Sequence, residues 1–128
     1  MKQTILLVDD EPDAEQIFRQ HFRREIRNKV YQFCFARSGP EALDFLGGHD
    51  PDDMIVVLSD INMPVMNGLE LLRATKSINP ELPVVMVTAN GDRETERLAR
   101  EGGALSLLTK PVDFGQLREK LNELAGGR

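Results

Sequence analysis

Cysteine, tryptophan and tyrosine are nearly missing from these 128 residues, which hold one Cys, no Trp and one Tyr. The lone Cys34 excludes an internal disulfide and leaves any zinc site short of ligands. Inside the apolar run from Tyr31 to Ala36 it reads as a small buried thiol. No apolar run approaches the roughly 18 residues that a membrane helix requires. The amino terminus also lacks the basic, then apolar, then small order of a secretory signal, so a cytoplasmic location is expected. A basic excess is absent too: 16 Lys and Arg face 21 Asp and Glu, a net charge of −5. That balance argues against nonspecific attraction to nucleic acid or to an anionic membrane. Internal repeats at the periods of solenoids are not found.

What is present is an alternation. Apolar runs occupy Thr4 to Val8, Tyr31 to Ala36, Met54 to Leu58, Pro83 to Val87 and Ala104 to Leu108. They are nearly continuous, as in parallel strands covered on both faces. Between them lie helical patterns. Ala14, Phe18, Phe22 and Ile26 recur every four residues with Ile17 beside them, which predicts one unbroken first helix. Ser38 and Glu41 form a capping box with Pro40 in the first turn, and Gly47-Gly48 stops that helix. Asn67 can cap a third helix that runs through Leu69, Leu72 and Ile78. A fourth, from about Asp92 to Glu101, is mostly charged and should pack lightly, which makes it a candidate for movement. Phe114, Leu117, Leu121 and Leu124 stripe the last. The length suits one domain, 1–128, and five strands alternating with five helices predict an open, doubly wound α/β sheet.

Such sheets bind ligands beyond the carboxyl ends of their strands. Here the first strand ends at Asp9-Asp10, the third at Ser59-Asp60, the fourth at Thr88-Ala89 and the fifth at Thr109-Lys110-Pro111. Clustered carboxylates with a backbone carbonyl suit a small hard cation, and Mg²⁺ is the usual choice where a phosphate completes the shell. With charge neutralised in this way an aspartate can attack a phosphoryl group. Lys110 suits the role of a point charge, and Thr88 can donate a hydrogen bond to the new phosphate. Glu11 and Asp13 read as acids that favour the positive start of the first helix.

The stretches "LLVDDEPD", "LSDINMPVMNGLELL", "VVMVTAN" and "LLTKPVDF", in this order and spacing, resemble the receiver domain of two-component response regulators across essentially the whole chain. The resemblance implies a flavodoxin-like (βα)5 fold of strand order 2-1-3-4-5, with a cis bond between Lys110 and Pro111. It implies Asp60 as phosphoacceptor, with Thr88 as switch hydroxyl and Lys110 as phosphoryl contact. It further implies Asp9, Asp10, Asp60 and the backbone carbonyl of Asn62 as ligands of Mg²⁺. The partners implied are a histidine kinase or histidine phosphotransfer protein upstream and a downstream protein or fused effector, with a homodimer left open. One departure stands out: Leu107 occupies the position, three residues before the lysine, where receivers usually carry Tyr or Phe, which separates the expected chemistry from the usual aromatic readout. The rival expectation is therefore an interaction module that works without phosphorylation. A phosphatase acting through an aspartyl intermediate is weakened by the sequence Asp60-Ile61-Asn62, which has no second carboxylate two residues on. A flavin carrier is disfavoured by the acids at Asp9 to Asp13.

Overall fold

A computed structural model describes residues 3–126. In chain order it contains β1 (Thr4–Val8), α1 (Ala14–His21), α2 (Arg23–Arg27), β2 (Gln32–Ala36) and α3 (Gly39–Gly47). A 3-10 turn (Pro51–Asp53) leads into β3 (Met54–Asp60), α4 (Gly68–Ile78), β4 (Val84–Thr88), α5 (Arg93–Glu101), β5 (Ser106–Thr109) and α6 (Phe114–Gly126). All pairings are parallel, in the order β2-β1-β3-β4-β5. This is the doubly wound sheet that the alternation predicts, in the flavodoxin-like strand order that the resemblance implies.

The three inner strands are buried at every position, because helices cover both faces and each side chain, whichever way it points, meets apolar neighbours. The edge strands β2 and β5 are only partly buried. Cys34 accordingly sits half-buried on an edge, less enclosed than its apolar run suggests. A register shift between Thr4 and Ile5 of β1 against β3 gives β3 one extra residue. Ile55 and Val56 consequently pack into the same cluster despite being neighbours in sequence.

The caps form largely as their chemistry requires. Ser38 Oγ accepts the Glu41 N–H at 3.1 Å, although the Glu41 carboxylate takes the Arg37 N–H rather than that of Ser38. At α4 the box is complete: Asn67 Oδ1 accepts from Glu70 N at 2.9 Å and Glu70 Oε1 from Asn67 N at 3.0 Å. Asp92 caps α5 by accepting the Thr95 N–H at 2.8 Å.

One helix departs from its sequence pattern. The predicted first helix, continuous to Ile26, breaks at Phe22, whose φ of −108° and ψ of 21° separate α1 from α2. The physical reason lies on α6. Arg118 Nη2 donates to the carbonyl oxygen of His21 at 2.6 Å, and Arg118 Nε donates to Glu25 Oε2 at 2.5 Å. An inserted donor that takes a carbonyl out of the i to i+4 ladder bends or breaks a helix. Phe22 is then drawn in to 0% exposure, with the Arg118 guanidinium 4.9 Å above its ring. Ile17, expected beside the apolar face, is 44% exposed.

Candidate functional site

β1, β3 and β5 deliver the site because their carboxyl ends lie along one edge of the sheet. Asp9 follows β1 and is fixed by its N–H, which donates to the Ala36 carbonyl at 3.1 Å. Its Oδ1 accepts the Glu11 N–H at 3.0 Å, a local side-chain turn that folds the acidic segment back over the strand end. Asp60 closes β3 and is buried, with 5% exposure. Lys110 follows β5, its N–H donating to the Thr88 carbonyl at 2.8 Å, and a cis Lys110-Pro111 bond follows it, as the resemblance implied.

The chain leaving Asp60 is held close. Gly68 donates its N–H to the Ile61 carbonyl at 2.8 Å. A Cβ on Gly68 would lie 2.3 Å from the Asp60 carbonyl oxygen, so α4 can start here only with glycine. Between them Val65 adopts φ of 71° with 93% exposure, a left-handed conformation that costs a non-glycine residue on the order of 1–2 kcal/mol.

The Lys110 ammonium is the centre of the charge arrangement. Nζ lies 3.3 Å from Asp60 Oδ2, 3.2 Å from Glu11 Oε1 and 4.0 Å from Asp9 Oδ2. Burial alone would lower its pKa. The hydrogen bond to Glu11 and the fields of Asp60 and Asp9 outweigh that and raise it, so the amine stays protonated. Burial raises the Asp9 pKa; the Glu11 N–H opposes the rise and the Asp60 charge adds to it. Three carboxylates around one ammonium leave the site negative, and that excess favours a cation.

Asp9, Glu11 and Asp60 can bring one carboxylate oxygen each within 4.8 Å of one another. An all-oxygen donor set of this kind fits a hard divalent cation such as Mg²⁺. Glu11, read as a helix-start acid, spends its carboxylate on Lys110, and α1 begins at Ala14 with Asp13 as its N-cap and no side-chain cap bond. Asp10 is partly buried and stands outside the three, while Asn62 is exposed on the turn after β3. No sequence spacing signals the Glu11 pair, since its partner is 99 residues away.

Thr88 is 1% exposed at the end of β4. Its Oγ1 accepts the Asn90 N–H at 3.1 Å and donates to the Asn90 carbonyl at 3.3 Å, so the hydroxyl is turned into its own loop. That loop passes against β5 closely enough that a Cβ on Gly91 would stand 2.8 Å from Thr109 Oγ1. Leu107 pairs in register with Met86 and packs against the aliphatic cluster. Among the described residues no helix is long and apolar enough to cross a membrane.

Comparison with known proteins gives a consistent result. The profile of the response regulator receiver domain family matches residues 5–122. The sporulation initiation phosphotransferase F of Bacillus subtilis is 32% identical over 123 residues, covering 96% of this chain and 94% of that protein. The response regulator protein PilR of Pseudomonas aeruginosa is 36% identical over 118 residues, 92% of this chain; the chain spans about a quarter (25%) of PilR. Among solved structures, a response regulator receiver domain protein from Clostridium thermocellum superposes with a TM-score of 0.84 at 29% identity, covering 95% of this chain and 93% of that one.

Proposed function

The chain belongs to the response regulator receiver family, and from that premise we propose that residues 1–128 form a single receiver domain whose Asp60 accepts a phosphoryl group. The donor is the phosphohistidine of a histidine kinase or histidine phosphotransfer protein, or a small acyl phosphate. An Asp60 carboxylate oxygen attacks phosphorus and the new O–P bond forms. The bond from phosphorus to the donor nitrogen or oxygen breaks, and its electron pair leaves with the imidazole or carboxylate. The observation that carries this reading is the Lys110 ammonium 3.3 Å from the buried Asp60 carboxylate, a fixed positive charge where phosphoryl oxygens would gather.

Asp9, Asp10 and Asp60, with the Asn62 carbonyl, are the residues that would hold Mg²⁺. Bound there, the ion would supply charge neutralisation of the transferring phosphoryl oxygens. Thr88 would leave Asn90 and donate to a phosphoryl oxygen. Phosphate brings about −1.5 to −2 charges and three acceptor oxygens, and a shift from mostly resting to mostly active needs a differential of roughly 5.5 kcal/mol. The loop from Thr88 to Asp92 and helix α5 would carry that shift, which a downstream protein or a fused effector would read, in a cytoplasmic setting and with a homodimer as one form of readout. Asn62 and Asn90 match the family positions that tune access of the attacking water, and neither is a charged base, so the acyl phosphate should hydrolyse over seconds or longer.

Leu107 favours a second reading. Its packing against the aliphatic cluster gives it no aromatic ring to reorient, which suits an interaction module that works without phosphate. Intact-mass measurement with acetyl phosphate, in Mg²⁺ and in chelator, separates the two. The receiver reading expects one Mg²⁺-dependent phosphoryl adduct that Asp60→Ala abolishes. A folded protein that forms no adduct would transfer the weight to the phosphate-independent module.

A further inference from the structure

We propose that Glu11 is a positioning residue that shares the resting Lys110 ammonium with Asp60, and so governs how readily a phosphoryl dianion enters the site. The inference rests on the receiver reading above. Nζ of Lys110 is as close to Glu11 Oε1, at 3.2 Å, as it is to Asp60 Oδ2, at 3.3 Å. The two anchors differ in setting. The Asp60 side chain is 6% exposed and that of Glu11 is 64% exposed, so Asp60 grips the ammonium from inside the sheet edge and Glu11 from the rim.

The backbone of Glu11 is fixed at both ends. Its N–H donates to Asp9 Oδ1 at 3.0 Å and its carbonyl accepts the Ala14 N–H at 3.2 Å. From that fixed backbone the carboxylate reaches Lys110, while its outer side remains in water.

This arrangement opposes transfer in two ways. Phosphorylation forms the Asp60 O–P bond and breaks the donor's P–O or P–N bond, leaving the electron pair on the departing group. The arriving phosphoryl oxygens need the ammonium that Glu11 partly holds. A second anion at the rim also repels the dianionic donor before any bond changes. Removing one unit charge from the approach of a dianion changes its local concentration by about three- to tenfold, depending on salt. Glu11 lies where it can also touch a cation, within 4.8 Å of oxygens of Asp9 and Asp60, so the test must separate lysine positioning from metal ligation.

The experiment uses the full chain as wild type, Glu11→Gln and Glu11→Asp. Adduct formation is followed by intact mass at several acetyl phosphate concentrations in saturating Mg²⁺, and Mg²⁺ affinity is measured separately by calorimetry. Glu11→Gln is expected to raise the second-order rate constant about three- to tenfold and to leave the Mg²⁺ dissociation constant within about twofold. Glu11→Asp keeps the charge but loses one methylene of reach, and should show at least part of the same increase. Equal rates in wild type and Glu11→Gln would overturn the proposal. So would a wild-type rate in Glu11→Asp beside a faster Glu11→Gln, which would make the effect one of rim charge alone. A roughly tenfold loss of Mg²⁺ affinity in Glu11→Gln would reassign Glu11 as a metal ligand. Failure of the wild type itself to form an adduct would overturn the receiver reading together with this inference, whereas an adduct insensitive to Glu11 removes only the latter.

Discussion

The two faces of the sheet are built from different materials. Under α1, α2 and α6 the core holds an aromatic cluster among its aliphatic residues: Phe18, Phe22, Phe33 and Phe114 meet ring to ring, with Phe18 edge-on to Phe114 at 5.1 Å and Phe22 tilted on Phe33 at 5.1 Å. Polar ties cross it as well. Arg118 bonds Glu25 and the His21 carbonyl, and the Tyr31 hydroxyl bonds Asn122. Under α3, α4 and α5 the core is aliphatic and methionine-rich, and α5 buries one residue, Ala99. Its charged side chains pair with one another along the exposed surface, Arg97 with Glu94 and Glu101, and Arg100 with Glu96. Such exposed pairs are screened by solvent and contribute little to stability. The lesson is that the helices over one face are tied by large rings and crossing polar bonds, whereas α5 on the other is anchored by a single buried methyl and offers less resistance to displacement.

The largest expected difference between the faces comes from Phe22. Removing a ring of 0% exposure in Phe22→Ala should cost about 3–5 kcal/mol in urea unfolding. A loss below about 1 kcal/mol would show that the aromatic face does not carry the stability assigned to it.

Arg118→Met comes next, at about 1–3 kcal/mol, because it strips a charge-assisted hydrogen bond from a mostly covered carboxylate. This effect depends on pH with a definite sign. Burial pushes the Glu25 pKa up, but the Arg118 hydrogen bond and charge more than offset that and hold it below its ordinary 4.5. The stabilisation is therefore complete above that value and is lost as pH falls through the lowered folded pKa. Unfolding curves of wild type and Arg118→Met should lie furthest apart near neutrality and converge in acid as pH falls from 4.5 through the lowered folded value. Parallel curves across that range would mean that the pair is structural decoration. The same variant should also restore helical amide protection across Phe22, since the His21 carbonyl would be returned to the ladder.

The smallest effect is predicted on the other face. Ala99→Gly should cost about 1 kcal/mol, mainly helix propensity, and amide exchange in α5 should be faster than around Leu117 and Leu121 of α6. If α5 proved as protected as α6, the contrast between the faces would fail, and with it the reason for placing the conformational response there.

Much of this architecture can be read along the chain. The strand ends at Asp9, Asp60, Thr88 and Lys110 fall where the apolar runs stop, because a buried strand must end where its sequence becomes polar. The Asn67 and Glu70 box is equally legible, since both halves of the motif lie within one helical turn. The break at Phe22 is not, because the four-residue spacing of Ala14, Phe18, Phe22 and Ile26 satisfies an unbroken helix. What breaks it is a guanidinium from α6, 97 residues away from the carbonyl it takes. The role of Glu11 was hidden for the same reason: a lone acid before a helix has a sufficient local explanation, and its lysine arrives from β5.

The sequence by itself determined the alternating sheet and the set of chemical groups at its carboxyl edge, because those follow from local periodicity, caps and strand ends, and its four motif stretches in their order and spacing carried the family. Tertiary structure alone decided which carboxylates share the Lys110 ammonium, where the first helix breaks and which face carries the aromatic rings and crossing ties. These depend on distances between residues remote in the chain, and such distances exist only after the sheet has closed its order of strands.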